Sequence, residues 1–272
     1  MTSKKKWLSA PYIFWSGLFI IVPLGMVLYY GLTDRTGAFT LENITAIASA
    51  GHAKALRLSL LLSLLSTLVC FLLAYPLAMI LAQVQVKRHN FIILIFILPM
   101  WMNFLLRTLA WQTLLEKNGV INHVLTFLHL PTLRIINTPA AIILGMVYNF
   151  LPFMVLPLYN ALSKIDTNVI NAAHDLGANQ VYTFFRIILP LSIPGIISGI
   201  TMVFIPALTT FVISSLLGGG KLLLIGDVID LEFTKTSNWH LGSGLSMVLM
   251  IFILVNMVLS AIFDKDGEGS ML

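Results

Sequence analysis

The residues able to do chemistry are few and scattered. Histidines stand at 52, 89, 123, 129, 174 and 240, never as an HExxH pair, and the single cysteine, Cys70, lies inside an apolar run. Neither a metal site nor an intrachain disulfide is therefore spelled out. Gly218-Gly219-Gly220-Lys221 has the outline of a phosphate loop, but Ser215 replaces the required leading glycine and Leu222 follows the lysine where Ser or Thr is needed. A turn at a membrane boundary accounts for these glycines. Asn43-Ile44-Thr45 fits a glycosylation sequon, a triplet common by chance. Arg107 is the one charge well inside an apolar run, a functional candidate by position that could also snorkel to an interface or pair across helices. A gating or structural role is expected for it. No paired catalytic groups occur, so the chain is expected not to be an enzyme, and any work against a gradient must draw on another subunit or an ion.

The most patterned stretch is KIDTNVINAAHDLGANQVYTFFRIILPLSIPG, beginning at Lys164. Ile165, Val169, Ala172, Ala173 and Leu176 recur at helical spacing, with Asn168, Asn171 and Asp175 on the other side. Asp166 or Thr167 is the expected cap. Gly177 ends or bends this helix, where a side chain would block a turn or a close contact. A second helical stretch, Gln180 to Ile188, runs to Pro190. The expected product is a helix–Gly–helix hairpin with small Ala172 and Ala173 at its surface. The pattern alone leaves two uses open: docking a protein partner, or lying on lipid as an interfacial helix.

The elements that must position these residues are membrane helices. The chain has 272 residues, 58% hydrophobic and 10% charged, with mean hydropathy +0.94. A soluble domain carries about 25% charged residues, so too little polar surface is available to cover a water-soluble globule. Six runs, about 11–32, 56–82, 91–115, 139–162, 193–217 and 242–263, read as spans, several longer than the roughly 18 apolar residues that cross hydrocarbon. They are too long for barrel strands, so the expected fold is all-α, a polytopic helix bundle forming one transmembrane domain over residues 1–272. The first run follows a basic start and has no small-x-small cleavage site, so a retained span is expected rather than a signal peptide. Proline lies inside five of the six runs, at Pro23, Pro76, Pro99, Pro152 with Pro157, and Pro206. Such prolines kink membrane helices, often beside a cavity.

Lys4-Lys5-Lys6 places the amino terminus in the cytoplasm, and six crossings then place Lys87-Arg88, the 163–192 loop and the carboxyl terminus there as well. The wider bias is weak, with eight basic residues inside and seven outside. The net charge of +5 fits juxtamembrane contact with anionic lipid, and no cluster suggests nucleic acid. The outer connections near 33–55, 116–138 and 218–241 are the longer ones, and Asn118 to Leu130 reads as a short surface helix.

The spacing of the loop carries a resemblance. Asn171-Ala172-Ala173, three residues, Gly177-Ala178, and then Ile187-x-Leu189-Pro190 resembles the EAA loop of binding-protein-dependent ABC importer permeases, with the nine residues between Gly177 and Ile187 that the pattern asks. The resemblance implies a type I ABC importer permease in a bacterial inner membrane. It makes 166–178 a coupling helix, with Asn171, Ala172, Ala173, Asp175, Leu176, Gly177 and Ala178 docking a cytoplasmic ATPase dimer. Ile187, Leu189 and Pro190 close the motif. ATP and Mg would sit on that partner, with no cofactor in this chain. A second homologous permease subunit and an extracytoplasmic substrate-binding protein complete the expected assembly. One departure is Asn171, where the family has Glu; Asp175 lies one helical turn away.

Further stretches resemble PotB-type permeases of spermidine/putrescine importers: Leu98-Pro99-Met100-Trp101 through Asn103 to Leu106-Arg107-Thr108, Arg134-Ile135 with Thr138-Pro139-Ala140, Gly145 through Met154, and Leu223 through Ile229. A polyamine path should offer carboxylates, carbonyls and aromatic faces. The candidates are Trp101, Asn103, Trp111, Tyr148 and Phe153 in the third and fourth spans, and Asp227, Asp230 and Glu232 beyond the fifth. For the acids, an ordinary solvated turn or a docking face for the binding protein stands beside the vestibule reading; for the aromatics, packing or interfacial anchoring does. Other cargoes, such as a phosphonate, a metal complex or a small anion, would use the same machine. An ion-coupled secondary transporter would instead need acids or histidines at midplane and an inverted repeat, and neither is evident.

Overall fold

The computed structural model describes residues 10–83 and 98–268, which form two compact units, residues 10–56 with 228–252 and residues 57–83 and 98–227 with 253–268. Among the described residues the secondary structure is helical, save one isolated bridge between Thr33 and Phe39.

In the first unit, α1 (Pro11–Gly31) is apolar on all sides and none of its hydrocarbon-length window is buried within the chain. Such a helix is a membrane span rather than a core element. Its ladder widens into a π turn over Gly17–Ile21, just ahead of Pro23. Proline has no N–H to return to the preceding turn and its ring crowds the carbonyl there, so the turn loosens rather than breaks. Beyond Gly31 the chain makes a tight loop. The Asp34 carboxylate accepts from Thr36 N (2.8 Å), Thr36 Oγ1 (2.6 Å) and Ala38 N (2.9 Å), which holds its acid below the ordinary carboxylate range. Asn43 Nδ2 ties the same loop to the carbonyls of Gly31 and Thr33.

In the second unit, α5 (Pro139–Leu162) is the central helix, more than half buried along its apolar window, and matches the expected span at both ends. Its main neighbour is the antiparallel α8 (Ile193–Thr209). Gly195 makes that contact close: a Cβ there would lie 2.5 Å from Ala161 Cβ and 2.8 Å from the Pro157 carbonyl. Lipid tails are as apolar as leucine, so small residues that let backbones approach, rather than hydrophobicity, hold such a pair together. A hydroxyl pair, Thr201 Oγ1 to Ser260 Oγ at 2.7 Å, links α8 to the later part of α11 (Trp239–Glu268).

Four spans differ from expectation, the last of them α11, which begins three residues before and ends five residues after the expected 242–263. The helix α2 (Ala50–Gln83) has 34 residues and begins six residues before the expected span, because Lys54 and Arg57 ride on it without breaking it. At 1.5 Å per residue it is about 50 Å long and must extend beyond the hydrocarbon. The expected span 91–115 falls partly on residues 84–97, outside the described residues. Its described part is interrupted, with a 3₁₀ turn at Leu98–Trp101 and then α3 (Phe104–Leu115), capped by Asn103, whose Oδ1 accepts from Leu105 N at 2.8 Å and Leu106 N at 3.3 Å. The expected span 193–217 breaks at Thr210, whose backbone is extended, before α9 (Val212–Leu217). Pro206 has already cost α8 a ladder bond there. The first turn of α10 (Ile225–Thr234) covers the break, with Gly226 against the Thr209 and Thr210 carbonyls. Four described helices are long and apolar enough to cross a membrane, and one bent pair makes a fifth. The expected surface helix is present as α4 (Val120–Phe127).

Candidate functional site

The patterned loop is an elbow of two helices. Asp166, rather than Thr167, caps α6 (Thr167–Asp175) by accepting from Asn168 N at 2.9 Å. The helix closes with Gly177 at φ +84°, Gly177 N donating to His174 O (2.9 Å) and Ala178 N to Ala173 O (3.0 Å). This pair of bonds is a Schellman cap, with the left-handed residue where glycine costs least. The His174 ring reinforces it by donating from Nδ1 to Ala178 O at 3.0 Å. Nothing lies within 4 Å of a Cβ built on Gly177, so the glycine answers a backbone requirement and not a crowded site. Asn179, which the periodicity did not single out, starts the next helix by accepting from Tyr182 N at 2.8 Å. Its signal was available: an Asn just before a helical run.

Cap geometry divides the loop residues between two tasks. Ala173, expected at the surface, is buried, and its carbonyl accepts the closing bond of the Schellman turn from Ala178 N. Ala172, Asn171, Asp175 and Gly177 remain exposed, and Leu176 is 89% exposed. Val181, Tyr182 and Phe185 extend this exposed apolar surface along the second arm.

That second arm, α7 (Gln180–Leu191), meets α8 at an angle of 63° at Ser192. A π turn at Phe184–Ile188 contains Ile187 and precedes Leu189 and Pro190, repeating the pattern seen before Pro23. Ser192 is fully buried, and its Oγ donates to Leu189 O at 2.9 Å. With that proton spent, the Tyr75 hydroxyl must be the donor in the 2.8 Å bond between Tyr75 and Ser192 Oγ. Phe71 and Phe184 present T-shaped contacts to the Tyr75 ring, at 5.5 and 5.7 Å. The bend thus has a polar fastening on α2.

Of the candidates within the spans, three come together. Trp111 packs edge-to-face on Tyr148 at 5.1 Å, and the Arg107 guanidinium, one turn before Trp111, lies 5.9 Å from the same ring centroid. Arg107 is buried, so this cation–π contact is made away from bulk water. Phe153 is five residues from Tyr148 on α5, about 140° around the helix, and is not part of the group. Trp101 is 79% exposed, and Asn103 is engaged as a helix cap. The three acids all stand on α10. Asp227 is buried with Oδ2 accepting from Leu224 N at 2.8 Å, while Ile225 N donates to Ser59 Oγ on α2 at 2.8 Å. Asp230 and Glu232 are partly exposed, and Glu232 accepts from Thr236 Oγ1 at 2.7 Å.

Known proteins share both the sequence and the fold. Residues 4–265 match the family described as binding-protein-dependent transport system inner membrane component. The chain is 39% identical over 266 residues to the spermidine/putrescine transport system permease protein PotB of Escherichia coli, covering 93% of this chain and 97% of that one. It is 37% identical over 253 residues to the PotB protein of Haemophilus influenzae, covering 88% of each. Among solved structures, a bacterial ABC transporter involved in alginate import superposes with a TM-score of 0.77 at 18% identity, over 99% of this chain and 98% of that one. The MetNI methionine ABC transporter gives 0.56 at 16% identity, over 79% and 95%.

Proposed function

Because the chain belongs to the binding-protein-dependent transport system inner membrane components, we propose that it is the permease of an ATP-driven importer of spermidine and putrescine. The substrate rests on the PotB relatives, which are similar over nearly their whole length. Those relatives do not favour a phosphonate, metal complex or anion as cargo. The chain acts in a bacterial inner membrane as one transmembrane domain, with both termini cytoplasmic. Its partners are a cytoplasmic ATPase dimer that holds ATP and Mg, an extracytoplasmic binding protein and a second homologous permease.

The observation that carries the coupling assignment is the capped elbow with its exposed Leu176. Gly177, Ala173 and Ala178 shape the turn. Asn171, Ala172, Asp175 and Leu176 form the surface that enters the ATPase. Closure of the ATPase dimer on ATP displaces this elbow, and the rigid second arm, closed by Ile187, Leu189 and Pro190, carries the movement to Ser192. From there it reaches α8 along the chain and α2 through Tyr75. The shift between inward-open and outward-open states requires ATP-bound ATPase to favour one state over the other, which a stiff elbow permits and a loose one would dissipate. Within the membrane, Trp111 and Tyr148 offer aromatic faces suited to an ammonium group. Arg107 holds the Tyr148 face until the state changes, a gating role. Asp227 keeps α10 in place, and Asp230 and Glu232 are the acids available to an arriving polycation.

The test is ATP hydrolysis by the reconstituted complex with a spermidine-loaded binding protein. Stimulation by spermidine or putrescine, absent with an unrelated solute, supports the assignment. Stimulation by another solute alone would move the cargo assignment.

A further inference from the structure

Asn149 stands near the middle of the central helix α5 and is 1% exposed. Its Nδ2 donates to Gly145 O at 2.8 Å, one turn back on the same helix. That bond fixes the amide's orientation, because the opposite one would set two oxygens face to face. The other end of the amide, Oδ1, is buried and has no hydrogen-bond partner among the described residues. A carbonyl oxygen left unpaired in an apolar setting weakens a fold. Packing does not call for one, since Met146 before it and Pro152 after it on the same helix are buried and apolar. An orphaned acceptor inside a span points to a donor that arrives. The oxygen is already enclosed by its own chain, so a neighbouring subunit does not supply that donor in this state.

The surroundings of the atom set the chemistry of the donor. Tyr148 precedes Asn149, and its ring meets Trp111 edge-to-face at 5.1 Å. The same ring already takes a cation, the Arg107 guanidinium, 5.9 Å from its centroid. Pro152, four residues beyond Tyr148, has no N–H to offer the Tyr148 carbonyl, so that oxygen loses its helical donor as well. Aromatic faces and carbonyl oxygens short of donors suit an ammonium group, which brings both a charge and several N–H donors. We propose that Asn149 reads the cargo inside the membrane. On the polyamine reading above, on which this rests, Oδ1 accepts from a terminal ammonium beside the Tyr148 and Trp111 rings. Access to it runs past α9. A Cβ on Gly145 would collide with the Leu217 and Ile213 side chains, so α9 lies directly on the turn of α5 that bonds Asn149. That short helix hangs between the extended backbone of Thr210 and the left-handed Gly219 and Gly220, so it swings without unwinding α8. A cargo that pairs Oδ1 therefore favours the state in which α9 has moved aside.

The test measures radiolabelled spermidine retained by the intact transporter complex after turnover with ATP and vanadate, which hold the ATPase closed. Wild type, Asn149→Leu and Asn149→Ala are compared. Wild type should retain spermidine, and Asn149→Leu should lose about tenfold of it, the scale of a hydrogen bond to a charged group. The melting temperature of Asn149→Leu should equal or exceed that of wild type, because an apolar side chain of similar size replaces an orphaned amide. Asn149→Ala should show the same loss of retention even where its cavity lowers the melting temperature. A residue that only packs would give the reverse for Asn149→Leu, a lower melting temperature with retention unchanged, and that result would overturn the proposal. Wild type that takes up spermidine in proteoliposomes yet retains none when trapped would also overturn it and leave the cargo assignment standing. Wild type that takes up no spermidine would remove the cargo assignment, and the role of Asn149 with it.

Discussion

The Tyr75 hydroxyl donates to Ser192 Oγ across 2.8 Å, joining two buried side chains 117 residues apart at the bend between the elbow and α8. Ser192 Oγ donates its own hydrogen bond to Leu189 O, so the bond from Tyr75 has a fixed direction. A movement of the elbow must either carry α2 with it or break this bond in an apolar setting, where an unpaired hydroxyl is costly.

Replacing Tyr75 with Phe keeps the ring contacts with Phe71 and Phe184 and removes only the hydroxyl. Stability should fall by about 1 kcal/mol, the usual net value of a hydrogen bond. The larger effect should be on coupling: spermidine taken up per ATP hydrolysed should drop in proteoliposomes while ATPase turnover persists. An unchanged ratio would remove Tyr75 from the transmission path.

Gly177 stands at φ +84° in open space, so substitutions there should rank by backbone tolerance and not by size. Gly177→Asn should keep most uptake, because Asn tolerates the left-handed region. Gly177→Val should lose it, with a penalty of about 1–2 kcal/mol for the conformation. Deletion of 171–178 should abolish uptake altogether. Measured uptake that tracks side-chain volume instead would contradict the cap argument.

Leu176 makes little contact within the chain, being 89% exposed, so Leu176→Glu should leave the melting temperature of the permease unchanged. It should sharply reduce the ATPase recovered with it on purification, since losing a central interface anchor costs about 2 kcal/mol or more. Recovery equal to wild type would place the docking surface elsewhere.

Gly195 is the reverse case. Gly195→Leu drives atoms into Ala161 Cβ and the Pro157 carbonyl, neither of which is a flexible side-chain end. Overpacking of this kind costs about 1–3 kcal/mol, and a lowered melting temperature by fluorescence-detected size exclusion is the expected readout.

Local pattern was enough to find α5, because Thr138-Pro139 starts it and an unbroken apolar run carries it to Leu162. The helix–Gly–helix elbow was legible in part: Gly177 marks the turn and Asp166 or Thr167 the first cap, whereas the second cap, Asn179, was passed over because it lies outside the apolar periodicity. Hydropathy does not register the break at Asn103, where an amide inside an apolar run competes for the backbone. The break at Thr210 depends on α10 covering freed carbonyls, a tertiary effect. Ala173 was expected at the surface because local periodicity does not register what the rest of the chain covers, and it is buried. The Tyr75–Ser192 pair could not be inferred from spacing at all. Each residue announces only a buried hydroxyl in need of a partner.

The central claim is that this permease moves polyamines when its elbow is driven by an ATPase. Proteoliposomes containing the full transporter should be supplied with binding protein and radiolabelled spermidine, with ATP on the ATPase side, and uptake and hydrolysis measured together. Spermidine uptake that requires ATP and is lost in the 171–178 deletion is the predicted result. Spermidine uptake that survives the deletion, or hydrolysis that responds only to a solute other than a polyamine, would contradict it.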